Sequence, residues 1–237
     1  MVDDALEGAR FERVLAIGAH PDDAEYFAGG TLARLADAGA EVALVVCTDG
    51  ARGGRGIDDV ARVRAGEQAR AAQIVGFREQ VNLRRPDGEL ANDDRLRAEL
   101  ALAVRRERPE LVLAHDPRTL WNVYGGRAHP GHSDHRAAGQ AALDALYPRA
   151  ASPNFYAEQL AEPGVEPWYP REVWLFDTAQ PDLHIDVSAT FARKLDALRA
   201  HVSQNRGDGL LRGARALGLA EPFARLVLRK EKTRADG

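Results

Sequence analysis

The sequence predicts an α/β fold, a Rossmann-like, mostly parallel sheet with helices on both faces. Three observations predict it. Short apolar runs alternate along the chain with longer amphipathic segments, the pattern of repeated βαβ units. Glycines stand where helical segments should stop, at Gly39 and Gly76. Polar, chemistry-bearing clusters follow four of the apolar runs, and in such sheets ligands bind beyond the carboxyl ends of the strands.

The first strand spans 13–18, and a helix over 28–38 follows with Leu32 and Leu35 on one face. The second strand covers 41–47 and opens into a glycine-rich loop at 48–56. A helix over 59–75, a short strand at 79–83 and a loop at 84–88 come next. A helix over 93–107 leads to a strand at 111–114, whose end carries His115-Asp116-Pro117; His115 is placed to line a pocket. A long loop then reaches a histidine cluster at 129–135, and an alanine-rich helix spans 136–146. Residues 147–170 hold five prolines and little periodicity, so they read as a loop excursion over the surface that borders the pocket as a lid. Strands return at 172–176 and 183–187. A helix over 189–201 and a short tail complete what reads as one domain, 1–237.

Composition narrows the function. With 45% hydrophobic residues, the 237-residue chain can bury a full core. A net charge of −4, with arginines interleaved among acids, argues against nucleic acid as the partner. The sole cysteine, Cys47, lies in an apolar run, so no internal disulfide forms and a core position is expected. The acidic start, 1–7, lacks the basic and apolar regions of a secretory signal. No run approaches the ~20 apolar residues of a membrane helix, so a cytoplasmic protein is expected. Self-association into a homo-oligomer is compatible with all of this. The loop at 48–56 lacks the patterns of phosphate-binding loops.

The chemistry concentrates in two segments. Gly18-Ala19-His20-Pro21-Asp22-Asp23 sets one imidazole and two adjacent carboxylates just after a buried strand. Such a cluster is costly unless a cation sits among the acids. His129-Pro130-Gly131-His132-Ser133-Asp134-His135, far downstream, can complete the site. His20 and Asp23 are spaced to share one ion, and His132 or His135 can supply a third ligand, leaving a position for water. Asp22, beside Asp23, is the natural proton acceptor. The other histidine of the pair can stabilise an oxyanion and protonate a leaving amine, with Asp134 orienting it. His132 should then lie just before a helix and Asp134 in its first turn. Arg52, Asp87 and His129 are candidate substrate contacts at the same edge.

Ala19-His20-Pro21-Asp22-Asp23 with a distal His132-Ser133-Asp134-His135 resembles the PIG-L/LmbE family of zinc-dependent N-deacetylases. Thr48-Asp49-Gly50, Pro86-Asp87-Gly88, Arg108-Pro109, Lys194 and Ala200-His201-Val202-Ser203-Gln204 resemble further family segments, so the likeness spans about residues 12–225. The resemblance implies zinc held by His20, Asp23 and His135, with Fe2+ or another divalent ion as substitutes. It implies Asp22 as general base and His132 as the oxyanion-polarising general acid, oriented by Asp134. It implies an acetylated amino sugar or glycoconjugate of the N-acetylglucosamine type as substrate, as in the mycothiol and bacillithiol pathways. Ser133 departs from the proline usual at that place. A reading from another class keeps the two histidines and one carboxylate as the site of a non-haem iron(II) oxygenase. Asp22 and the His132/Asp134 pair have no evident place in that chemistry.

Overall fold

In the computed structural model, which describes residue 6, residues 11–124 and residues 127–229, the expected sheet forms. Strands β1 (Arg13–Gly18), β2 (Glu41–Thr48), β3 (Glu79–Arg85), β4 (Leu111–His115) and β7 (Glu172–Phe176) run parallel. β9 (Ala220–Val227) pairs antiparallel with β7 and with β8 (Leu183–Asp186). The spatial order is β3-β2-β1-β4-β7-β9-β8. The chain winds outward from β1 through β2 to β3, then crosses back to β4 on the other side of β1. The carboxyl ends of β1 and β4 therefore flank the topological switch point, where a crevice opens.

Burial on both faces explains why the central strands are continuous apolar runs. Val14 and Ala16 of β1, with Val42, Leu44 and Val46 of β2, pack against α1 (Asp23–Asp37), α2 (Val60–Val75) and α5 (Phe191–Ala200). Leu15, Ile17, Ala43 and Val45 face the other way, onto Leu96, Leu100 and Val104 of α3 (Asp94–Glu107) and the alanines of α4 (Ser133–Asp144). Small residues let α4 approach closely: a Cβ at Gly139 would lie 2.3 Å from the His115 carbonyl oxygen. Cys47 is buried in this core, and burial pushes its thiol up to about 12.

Three departures from the sequence reading matter. α1 begins at Asp23, five residues earlier than its apolar pattern, and α4 begins at Ser133, three residues earlier. Polar first turns hide helix starts from periodicity. The long loop before the histidine cluster contains a hairpin, β5 (Trp121–Tyr124) and β6 (Arg127–Pro130). The C-terminal stretch holds α6 (Gly209–Leu217) and the inserted strand β9, masked by Pro222 and by charges at Glu221 and Arg225. Most of the acidic start, and residues 230–237, lie outside the described residues.

The segment 147–170 is no lid. It carries helical turns at Ala145–Ala150 and Ala157–Ala161 and lies along α3. The buried Arg105 guanidinium donates to the carbonyls of Arg149, Ala150, Ser152, Phe155 and Tyr156. Trp168 donates to the carbonyl of Pro109, at the amino end of β4 and so away from the crevice. Arg105 satisfies carbonyls that no ladder takes up, which is how a chain without periodicity stays packed. Among the described residues, no helix is long and apolar enough to cross a membrane.

Candidate metal centre and active site

The crevice between β1 and β4 gathers residues from four strand ends. His20, Asp22 and Asp23 follow β1, Asp87 follows β3, His115 ends β4 and Asp177 follows β7. His132, Asp134 and His135 come from the start of α4, which enters at the same edge. His132 caps the helix, its Nδ1 accepting the Asp134 N–H at 3.1 Å, so Asp134 lies in the first turn as expected, with His135 next to it. Ser133 takes the first helical position, where proline is also tolerated; its departure from the family pattern disturbs nothing.

Asp23 is the centre of the cluster. Its Oδ2 accepts the His20 N–H at 2.7 Å and stands 3.5 Å from His20 Nδ1. Its Oδ1 is 3.3 Å from His135 Nε2. His115 Nε2, fully buried behind it, is 3.0 Å from Oδ2. Acids also stand beside the far nitrogens of His20, which is buried, and of His135, which keeps a partly exposed edge. His20 Nε2 lies 3.2 Å from Asp87 and 3.4 Å from Asp134, and His135 Nδ1 lies 3.0 Å from Asp177. Ligand imidazoles are commonly anchored this way, one nitrogen toward the ion and the other on a carboxylate. Three overlapping groups have ligand atoms close enough to share an ion: His20, His132 and His135; Asp23, His115 and His135; and His20, Asp87 and Asp134.

The electrostatics call for positive charge. Burial would lower the pKa of His20, but Asp134, Asp23 and Asp87 override it and push it up to about 12. Burial likewise opposes protonation of His135, and Asp23 and Asp177 push it up to about 9. Acids that hold two imidazoles charged would equally stabilise a divalent cation, which displaces those protons when it binds. The donor set of imidazole and carboxylate suits zinc or iron.

Asp22 stands apart from this carboxylate web. Its backbone is left-handed (φ 106°), which turns the side chain away from its helix. Arg64 of α2 reaches its Oδ2 at 3.3 Å, and Gln68 accepts its N–H at 3.0 Å. Burial raises its pKa to about 6, against the pull of Arg64 and with a further push from Asp23. His132 is lowered from its ordinary value, first by burial and then by His20 and His135.

The structure thus brings together His20, Asp22, Asp23, His132, Asp134 and His135, and adds Asp87. Two contacts differ from expectation. The Asp134 carboxylate faces Gly88 N–H (2.7 Å) and His20, and reaches His132 through its main-chain N–H instead. Asp87 is buried against His20 and also accepts the Arg52 N–H at 2.9 Å. The Arg52 side chain pairs with Glu89 at the rim. His129 is exposed on β6, opposite Asn122 of β5. Sequence reading missed Asp177, Arg64 and Gln68. Asp177 was within reach of the strand-end rule, since it directly follows the strand read at 172–176; Arg64 and Gln68 carry no local signal.

The sequence pattern of the PIG-L family, described as GlcNAc-PI de-N-acetylase, matches residues 15–146. The chain is 34% identical over 197 residues to the diacetylchitobiose deacetylase of Thermococcus kodakarensis, covering 81% of this chain and 70% of that one. It is 33% identical over 199 residues to the 1D-myo-inositol 2-acetamido-2-deoxy-alpha-D-glucopyranoside deacetylase of Thermobispora bispora, covering 71% of this chain and 59% of that relative. The solved structure of N,N'-diacetylchitobiose deacetylase from Pyrococcus horikoshii, complexed with its inhibitor MPG, superposes with a TM-score of 0.80 at 28% identity, covering 94% of this chain and 89% of that one.

Proposed function

The chain belongs to the PIG-L family, and from that premise we propose that it is a zinc-dependent N-deacetylase that removes the acetyl group from an N-acetylglucosamine-type sugar or its conjugate. One observation carries the reading. His20 and His135 each turn one ring nitrogen toward Asp23 and have a carboxylate within 3.2 Å of the other, while Asp22 and His132 flank them outside that arrangement. His20, Asp23 and His135 are the ligands in this reading, and His115 is a donor that steadies Asp23 from behind. A divalent ion held there supplies Lewis acidity, lowering the pKa of water and polarising a carbonyl.

The rest falls to the chain's own residues. Asp22, ionised above about pH 6, accepts the proton of the attacking water. Arg64 and Gln68 fix its carboxylate and its peptide. His132 Nδ1 accepts the Asp134 N–H, so Nε2 carries the ring proton and is the nitrogen that donates to the developing oxyanion. The proton taken up by Asp22 then goes to the departing amine, which leaves as the free amino sugar with acetate as co-product. Asp134 and Asp87 hold His20, and Arg52 borders the entrance. The relatives named for a reaction on acetylated sugars support hydrolysis, and nothing among them supports an oxygenase.

The test is acetate release from N-acetylglucosamine and N,N'-diacetylchitobiose by the zinc-loaded protein. Turnover that is abolished by a chelator and restored by zinc is the expected result. A fully metal-loaded protein that releases no acetate from any such sugar overturns the reading.

A further inference from the structure

Behind Asp22 lies a buried polar pair that the proposed reaction does not use. Glu25 of α1 and His201, which closes α5, are both fully inaccessible. His201 Nε2 stands 3.8 Å from Glu25 Oε2, and neither ring nitrogen of His201 nor that oxygen has a hydrogen-bond partner among the described residues. A carboxylate and an imidazole set this deep are costly to desolvate, and apolar side chains of similar volume would fill the space without that cost. Stability of the fold is therefore a poor reason for the pair to be there.

The pair reaches Asp22 through Gln68. Gln68 Oε1 accepts the Asp22 N–H at 3.0 Å, and Gln68 Nε2 donates to Glu25 Oε1 at 2.6 Å. A peptide N–H only donates and a carboxylate only accepts, so a single orientation of the carboxamide satisfies both neighbours. Glu25 thereby decides that the carboxamide oxygen, and not its NH2, faces Asp22. The peptide held in this way is strained. Asp22 has φ 106°, a left-handed conformation that side chains disfavour and that persists only where the surroundings impose it. The second oxygen of Glu25 faces His201. Burial alone would lower the pKa of that ring, and Glu25 and Asp22 raise it above its ordinary value.

We propose that Glu25 and His201 are positioning residues for Asp22. The imidazole holds the Glu25 carboxylate, the carboxylate orients the Gln68 carboxamide, and the carboxamide keeps the Asp22 peptide in the turn that aims its side chain at the reacting water. The inference rests on the deacetylase reading and extends its machinery to two residues that touch neither the metal ligands nor the substrate.

The experiment measures acetate release from N,N'-diacetylchitobiose, zinc content and amide hydrogen exchange in the wild type, Glu25→Met, Glu25→Gln and His201→Met. Glu25→Met removes the acceptor at similar volume, and kcat should fall by about 10–100-fold with KM and zinc content unchanged. Glu25→Gln, whose oxygen can still accept from Gln68, should recover most of that loss. On an Asp22→Asn background Glu25→Met should cost less than about twofold more, because no proton acceptor is left to position. The Asp22 amide should exchange at least about tenfold faster in Glu25→Met while the amides of β1 keep their protection. His201→Met should move kcat and the Asp22 amide in the same direction, and it carries the comparison if Glu25→Met does not fold. A loss that recurs in full on the Asp22→Asn background, or that comes with loss of zinc, overturns the proposal. If the wild type releases no acetate, the deacetylase reading fails, and the exchange still decides the network: an Asp22 amide whose protection ignores Glu25 and His201 overturns it.

Discussion

His115 and His135 lie face to face, ring centroids 4.0 Å apart and planes 25° from parallel, and both direct Nε2 at the carboxylate of Asp23. They differ in surroundings. His115 is fully buried, and burial, with the charge of His135 beside it, pushes its pKa down to about 4. It stays neutral and donates Nε2–H to Asp23 Oδ2. His135 keeps an exposed edge and has its far nitrogen on Asp177. In the proposed reading one ring is a support and the other a ligand.

His115→Ala should therefore weaken zinc binding by about 10–100-fold, the usual cost of losing an outer hydrogen bond to a ligand. His115→Gln, which keeps a donor, should recover part of it. His135→Ala should lose the metal outright. Zinc content after dialysis against graded chelator reads this out. If His115→Ala is as metal-free as His135→Ala, the two rings are both ligands.

The adjacent acids divide in the same way. Asp22→Asn keeps every candidate ligand and removes the proposed proton acceptor, so zinc should be retained while kcat falls by about 10²–10⁴. Asp23→Asn removes a proposed ligand oxygen and the group on which three histidines converge, so zinc itself should be lost. Equal zinc loss in both variants would mean that Asp22 is a ligand too.

Much of this was legible in the residues. The central strands announce themselves because burial on both faces leaves no polar interruption, and the strand-end rule then gathers His20, Asp22, Asp23 and Asp87 at one edge. His132 as a cap, with Asp134 in the first turn, follows from asking that Asp134 orient His132, although the contact runs through the Asp134 N–H. What escaped is what depends on distant chain. Asp177 directly follows a strand that the residues announce, yet only the sheet order, with β7 beside β4, brings it to His135. Arg64 and Gln68 look like a solvated helix face until α2 packs beside α1. β9 reads as a polar tail because Pro222, which lies beyond the β7–β9 pairing and pairs only with β8, and the charges at Glu221 and Arg225 find their places only in the assembled sheet.

One of those charges is structural. Glu221 of β9 is buried and accepts the N–H groups of Gly30 and Thr31, and Lys194 of α5 pairs with it at 2.6 Å. Both side chains are nearly inaccessible, at 1% and 3%. Lys194→Met leaves a buried carboxylate without its counter-charge and should destabilise the fold by about 3–5 kcal/mol. Lys194→Met combined with Glu221→Gln should lose less, because no charge is stranded. Urea unfolding of the metal-free proteins measures the difference, and a loss below about 1 kcal/mol, the worth of a surface pair, would contradict the buried geometry.

The pH profile tests how the proton is handled. Asp22 must be ionised to accept it, and its pKa is raised to about 6 by burial and by Asp23. Activity should therefore rise with pH up to about 6 and level off above it; a bound cation, favouring the carboxylate, moves this limb to lower pH and never to higher. His132 enters differently. With Nδ1 accepting the Asp134 N–H, the neutral ring already carries its proton on Nε2, and its own pKa is lowered by burial and by His20 and His135. A neutral donor needs no protonation to work. His132→Ala should thus lower kcat by about 10²–10³, the worth of one oxyanion donor, and keep the acidic limb where it was. Zinc content should be unchanged. If the wild-type profile instead falls on the alkaline side and that fall vanishes in His132→Ala, the ring works as an imidazolium, the Nδ1 contact turns over to an acceptor such as the Asp134 carboxylate, and the amine takes its proton from His132.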